Sequence, residues 1–238
     1  MIARRFTRLI AATVFAAGAT VLGTGVPAAS AQGCADVEVV FARGTGEAPG
    51  VGGTGQGFVD ALRAQAGARS VNVYPVNYPA ASNFEQRTEF ARTVVDGIRD
   101  AGTHIQNTAA ACPNTRIVLG GYSQGAIVAA FVTSASVPDA VPGEYRSYVP
   151  QPLAPEIADH VAAVTLFGLP SPQFLSQYDA PAPVIGPAYE PKTIRLCAEG
   201  DTICNGAPGG GPTIAHALYG VNGMTQQAAA FTVQRLAR

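Results

Sequence analysis

The chain has 238 residues, with 15 Lys plus Arg against 16 Asp plus Glu and a formal charge of −1. Charged residues are 13% and apolar residues 47%, which excludes a disordered polyampholyte, because such a chain buries too little apolar surface to offset its ordering entropy. Lys occurs once, at Lys192, and no segment is rich in basic residues, so an electrostatic nucleic-acid binder is excluded too.

In chain order, the N-terminus comes first. Arg4, Arg5 and Arg8 precede an apolar run over residues 9–22, and Ala29-Ser30-Ala31 follows. A basic start, a short apolar stretch and a small-residue site are the pattern of a secretory signal peptide, cleaved after Ala31. The apolar run of about 14 residues falls short of the roughly 20 that span a bilayer, so no stable membrane insertion is expected. Loss of residues 1–31 removes three Arg and no acid, leaving 12 basic and 16 acidic residues. Such a surface does not dock on anionic membranes. The expectation is a secreted monomer whose residues 32–238 form one domain.

Five short β-type runs follow: Val37–Ala42, then residues 71–76, 116–121, Val161–Phe167 and 193–197. Several are nearly continuous apolar runs, as in strands covered on both faces. Helical patterns lie between them. Residues 57–65 place Phe58, Ala61 and Leu62 on one face, and residues 88–111 do the same with Phe90, Val94, Ile98 and Ile105. Residues 126–135 are apolar almost all round, and residues 222–236 close the chain. Alternating strands and helices predict a parallel α/β sheet. Residues 137–155 and 169–191 are Pro-rich and read as long surface loops, and residues 205–212 as a flexible Gly/Pro stretch.

All four cysteines, Cys34, Cys112, Cys197 and Cys204, lie beyond the export segment. An even count in an oxidising compartment implies disulfides, with three connectivities open. The seven-residue spacing makes a Cys197–Cys204 bridge easy to close and leaves Cys34 with Cys112. A metal site needs more ligands at tighter spacing than these Cys and three scattered His supply, so no metal is expected.

The chemistry sits at Gly121-Tyr122-Ser123-Gln124-Gly125, a G-x-S-x-G pentapeptide between a strand and a helix. In that context it is a nucleophile elbow, which lifts the Ser123 hydroxyl above the sheet edge. A Ser hydroxyl needs a base, and the base needs an orienting acid. The elbow architecture orders them Ser, acid, His. Two His follow Ser123. His160 opens an interior strand, whereas His216 follows the Gly209–Pro212 loop and is preferred as base. Asp201, just after the last strand and between Cys197 and Cys204, is preferred as acid, with Glu199 and Asp179 as alternatives. The oxyanion needs two donors. These are the N–H of Gln124 and, from the loop after the first strand, Thr45 by its N–H and its hydroxyl. Ile214, Phe84, Val184 and Leu153 are candidates for an apolar acyl groove.

A-R-G-T-G-E at 42–47, G-G-Y-S-Q-G at 120–125, C-x-E-G-D-x-I-C at 197–204 and His216 before Tyr219 resemble the cutinase family, above all its secreted bacterial members. The likeness spans nearly the whole exported chain. It implies a single-domain α/β-hydrolase with a central five-stranded parallel sheet, helices on both faces and no large lid. It implies Ser123, Asp201 and His216 as the triad, Thr45 and Gln124 at the oxyanion hole, and Cys34–Cys112 and Cys197–Cys204 as disulfides. Many fungal members have Ser at the position of Thr45; Thr keeps the hydroxyl and adds a methyl. The implied activity is cofactor-free hydrolysis of short- to medium-chain carboxylic esters, and cutin itself is not inferred. A lipase or phospholipase, an acyltransferase with the same triad, and a non-catalytic binding protein on this scaffold are the alternatives.

Overall fold

Every residue of β1 (Val37–Ala42) and β4 (Val161–Phe167) is buried, and β3 (Arg116–Tyr122) is buried along its middle. These three strands occupy the interior of one parallel sheet, ordered β2-β1-β3-β4-β5. β2 (Val71–Pro75) and β5 (Thr193–Leu196) form its half-exposed edges. The structure, a computed structural model, describes residues 33–236 except 140, 142, 144 and 145. The sheet belongs to the unit Cys34–Arg238. The expected export segment lies outside the described residues.

Side chains alternate across the sheet and fill two cores. On one face Val40, Leu119 and Leu166 pack with α2 (Arg87–Ala111) and α3 (Gln124–Val132). On the other, Val39, Phe41 and Phe167 pack with α1 (Gly52–Gln65) and α7 (Met224–Leu236). α3 is buried on almost all sides, as its composition predicts. Two helices depart from the expected bounds. α1 starts five residues early, at Gly52, because Glu47 reaches its first turn and accepts from Gly53 N–H at 2.7 Å. No residue next to the helix carries that signal. α3 stops at Val132 because the Thr133 and Ser134 hydroxyls donate back to the Ala130 carbonyl, at 2.8 and 3.2 Å. Such local bonds compete with helix propagation.

The second Pro-rich stretch, 169–191, is not wholly irregular, and a short helix follows the first. α4 (Ile157–His160) leads into β4, and α5 (Pro172–Ser176) starts with Ser171 as N-cap and Pro172 at the first helical position. Between β5 and α7, α6 (Ile214–Ala217) is capped by the Thr213 hydroxyl. The disulfides are Cys34–Cys112 and Cys197–Cys204, as expected.

The first bridge closes a loop of sequence separation 78. In the chain-entropy picture a loop of that length contributes about 4.5 kcal/mol. The Cys34→Ser, Cys112→Ser double variant should therefore melt well below the wild type in a thermal scan. An unchanged melting temperature would show that the bridge adds nothing to the folded state.

Candidate active site

At the C-terminal end of β3 the chain turns sharply into α3, and Ser123 occupies the turn with φ 54° and ψ −117°. A positive φ is costly for a residue with a Cβ and persists only where the surroundings enforce it. Here the enforcement is backbone crowding. A Cβ on Gly121 would lie 2.1 Å from the Gly125 carbonyl oxygen, and one on Gly125 would lie 2.0 Å from the Ala42 carbonyl oxygen. Both glycines are obligatory, and together they let β1, β3 and the head of α3 close up. Ser123 N–H donates to the Phe167 carbonyl at 2.9 Å and fixes the elbow to the end of β4.

Ser123 Oγ lies 2.9 Å from His216 Nε2, and His216 Nδ1 lies 2.8 Å from Asp201 Oδ2. The three residues come from β3–α3, the β5–α6 loop and α6. Asp201 has no exposed surface and His216 is buried. Asp201 Oδ1 accepts from Ile203 N–H at 3.0 Å, and Oδ2 accepts a second bond, from the Tyr219 hydroxyl, at 2.7 Å. Burial pushes the Asp201 carboxyl up, but donation from His216, Tyr219 and Ile203 outweighs it and holds the group below its ordinary 3.8. The alternatives are elsewhere. Glu199 is exposed, His160 ends α4, and Asp179 pairs with Arg87 across the cavity mouth.

Tyr219 is the residue the sequence reading left without a role. It is fully buried, and its oxygen also accepts from Ala198 N–H at 2.9 Å. Burial and the Asp201 carboxylate push the phenol well above its usual range, so it stays a donor. Tyr122 is a second such residue. Its hydroxyl donates to the His216 carbonyl at 2.6 Å, and burial pushes it to about 12. The signal for both was weak, since a buried Tyr reads as core until its hydroxyl partner is known.

Thr45 and Gln124 line the same cavity as Ser123 and His216. Neither backbone N–H donates to another described residue. The Thr45 loop is held from beneath. Glu47 accepts from Gly44 N–H at 2.6 Å while also capping α1, Gly46 N–H donates to the Ala80 carbonyl at 2.7 Å, and buried Arg43 donates to the Glu47 and Tyr78 carbonyls at 2.8 and 2.6 Å. Of the four groove candidates only Phe84 lines the cavity. Ile214 and Val184 point to solvent, at 80% and 74% exposure, and Leu153 packs against the α2–α3 core. The cavity wall combines α2 and α3 with other residues of the Pro-rich loops, among them Val137, Tyr148, Pro150 and Tyr178, so three of the four candidates were the wrong loop residues.

Tyr219→Phe should destabilise the fold at neutral pH by about 1–3 kcal/mol, because Asp201 loses a donor and Ala198 N–H is orphaned. A carboxyl depressed in the folded state adds stability above its unfolded value, lost as pH falls through the folded one. The gap between variant and wild type in urea midpoints should therefore narrow below pH 3.8. A gap constant with pH would break the link to Asp201.

A family model described as Cutinase matches residues 33–236. The probable carboxylesterase Culp7 of Mycobacterium tuberculosis is 60% identical over 172 residues, covering 72% of this chain and 88% of its own. Carboxylesterase Culp1 of the same species is 48% identical over 211 residues, covering 88% and 85%. Among solved structures, Trichoderma reesei cutinase in complex with a C11Y4 phosphonate inhibitor superposes with a TM-score of 0.61 at 28% identity, covering 86% of this chain and 78% of its own. The chain belongs to the cutinase family and is a carboxylic ester hydrolase of α/β-hydrolase fold.

Proposed function

We propose that the protein hydrolyses esters through an acyl-enzyme on Ser123, with His216 as general base and Asp201 as its orienting acid. The observation that carries this is the unbroken chain Asp201 Oδ2, His216 Nδ1, His216 Nε2 and Ser123 Oγ, with contacts of 2.8 and 2.9 Å. The tautomer is assigned from these partners. With Nδ1–H donated to Asp201, Nε2 presents its lone pair to the Ser123 hydroxyl.

Ser123 Oγ attacks the ester carbonyl carbon as its proton moves to His216 Nε2. The carbonyl oxygen becomes an oxyanion, and the Thr45 and Gln124 N–H groups, with no other acceptor among the described residues, donate to it. His216 returns the proton to the departing alkoxide, which leaves as the alcohol. Water then enters, gives a proton to Nε2, and attacks the acyl carbon. Collapse of this second intermediate frees the carboxylic acid and Ser123. Asp201 stays ionised throughout and stabilises the imidazolium. The disulfide Cys197–Cys204 brackets Asp201 and limits its drift.

The protein also acts outside the cell in this reading. Support comes from the basic, apolar and small-residue pattern before residue 32, from two disulfides, and from the lack of any helix among the described residues long and apolar enough to cross a membrane.

With p-nitrophenyl butanoate, Ser123→Ala should lower kcat by ~10⁴-fold or more, while loss of one oxyanion donor costs ~10²–10³-fold. Ser123→Ala with wild-type activity would remove the proposed roles.

A further inference from the structure

The loop that carries Thr45 has few side chains to hold it. Five of residues 44–53 are Gly, and residues 43–51 belong to no helix or strand. Glycine loses more backbone freedom on ordering than any other residue, so such a stretch does not stay in place unaided. The oxyanion donor assigned to this loop is a backbone N–H, and only the backbone sets its aim. Such a donor works when its direction is fixed before the charge develops.

Glu47 orders the loop with both oxygens of its carboxylate. Oε2 accepts from Gly44 N–H at 2.6 Å, and Oε1 accepts from Gly53 N–H at 2.7 Å. The first bond crosses Thr45 and Gly46. The second reaches the first turn of α1, where the N-cap residue Val51 makes no side-chain cap. Bonds to an ionised acceptor are roughly twice as strong as neutral ones, and a helix N-terminus favours an anion. The neighbouring glycines leave room for this carboxylate and for no side chain of their own. A Cβ on Gly52 would lie 2.1 Å from Glu47 Oε2 and 2.4 Å from its Cδ. One on Gly44 would lie 2.6 Å from the Tyr122 ring and 3.2 Å from Oε2.

The hydrogen bonds of the loop single out one N–H. Gly44 donates to Glu47, Gly46 donates to the Ala80 carbonyl at 2.7 Å, and Glu47 N–H donates back to the Gly44 carbonyl at 3.3 Å. Of these four residues only Thr45 has an N–H with no acceptor among the described residues, and Thr45 lines the cavity beside Ser123. Behind the loop, the buried Arg43 guanidinium donates to the Glu47, Tyr78 and Pro79 carbonyls at 2.8, 2.6 and 3.1 Å, and the Tyr78 hydroxyl donates to the Arg43 carbonyl. Those bonds hold the two ends. Across Thr45 itself the backbone bond is longer than an ordinary N–H···O contact, so the carboxylate is the main tie. Its charge works the other way, since an anion near a developing oxyanion opposes it. Geometry and charge therefore predict opposite effects when the charge is removed.

We propose that Glu47 is a positioning residue for ester hydrolysis: its carboxylate holds the Gly44 and Gly53 N–H groups and so presents the Thr45 N–H to the oxyanion. This rests on Ser123 being the nucleophile and Thr45 an oxyanion donor. Glu47→Gln keeps the size but turns one acceptor oxygen into an N–H donor, which cannot serve Gly44 and Gly53 together. Glu47→Asp keeps the charge and falls one methylene short of both. Each should lower kcat by about tenfold to a hundredfold, against ~10²–10³-fold for outright loss of a donor, with KM for p-nitrophenyl butanoate unchanged within about twofold.

The test measures kcat per active site, counted by titration with diethyl p-nitrophenyl phosphate, and Ki for butylboronic acid. That acid takes Ser123 Oγ onto boron and forms a tetrahedral anion, the Ser123 proton passing to His216. Its Ki should rise in both variants by about the factor by which kcat/KM falls, because the boronate oxygen and the oxyanion use the same donor. A residue needed only for folding lowers the number of titrated sites and leaves kcat per site and Ki as in the wild type; that result overturns the proposal. A rise in kcat for Glu47→Gln overturns it too, because Glu47 then acts through its charge. If one variant yields no titratable protein, the other decides by the same Ki. A wild type that is inert on the ester, or that butylboronic acid does not inhibit, overturns the catalytic reading beneath.

Discussion

One close approach of backbone to backbone organises the molecule. At Gly125 the head of α3 lies so near the end of β1 that a Cβ would meet the Ala42 carbonyl at 2.0 Å, and at Gly121 the elbow folds back on itself just as tightly. That contact forces Ser123 into a left-handed conformation and raises its hydroxyl at the sheet edge. It also brings the loop after β1, with Thr45, to the side of α3 where the Gln124 N–H is free. The proposed nucleophile and the proposed oxyanion donors are thus set by a single constraint, and a methyl group at either glycine would undo both. The strain is tolerable because β1, β3 and β4 are buried and paired on both sides, so the sheet does not yield.

The other half of the site is built on a less rigid stretch and is stiffened by polar bonds instead. Asp201 is bracketed by a disulfide between cysteines seven apart in sequence, and each of its oxygens has a donor within the protein. Tyr219 reaches back from beyond α6 to hold both Asp201 and Ala198 N–H, while Tyr122 holds the His216 backbone. A buried carboxylate facing a buried imidazole is costly unless its lone pairs are filled, and here they are. The two tyrosines stand where the elbow and the acid loop meet, so their packing couples the rigid half to the polar half.

Much of this was legible in the residues. Ser123 followed from the pentapeptide in its strand–turn–helix setting, and His216 and Asp201 from chain order and from their place after the last strand. β1, β3 and β4 were legible because covered strands are apolar along their length, and the half-exposed edges β2 and β5 as shorter β-type runs. What was hidden depended on contacts distant in sequence. Glu47 capping α1 lies outside any local capping pattern. Tyr219 looks like core until its hydroxyl finds Asp201. Of the apolar loop residues Ile214, Phe84, Val184 and Leu153 proposed for the cavity, only Phe84 lines it, and its wall is shared by α2, α3 and other residues of the Pro-rich loops. A residue's helical face is readable from periodicity, but whether that face meets another helix or borders a gap between helices is decided by how far apart the elements pack.

The central claim is that folding makes one serine nucleophilic. Its most direct test is labelling with diethyl p-nitrophenyl phosphate, followed by peptide mapping. The account predicts one diethylphosphoryl group per chain, on Ser123, with none on protein unfolded in guanidinium. Labelling at another residue, or equal labelling of folded and unfolded chains, would contradict it.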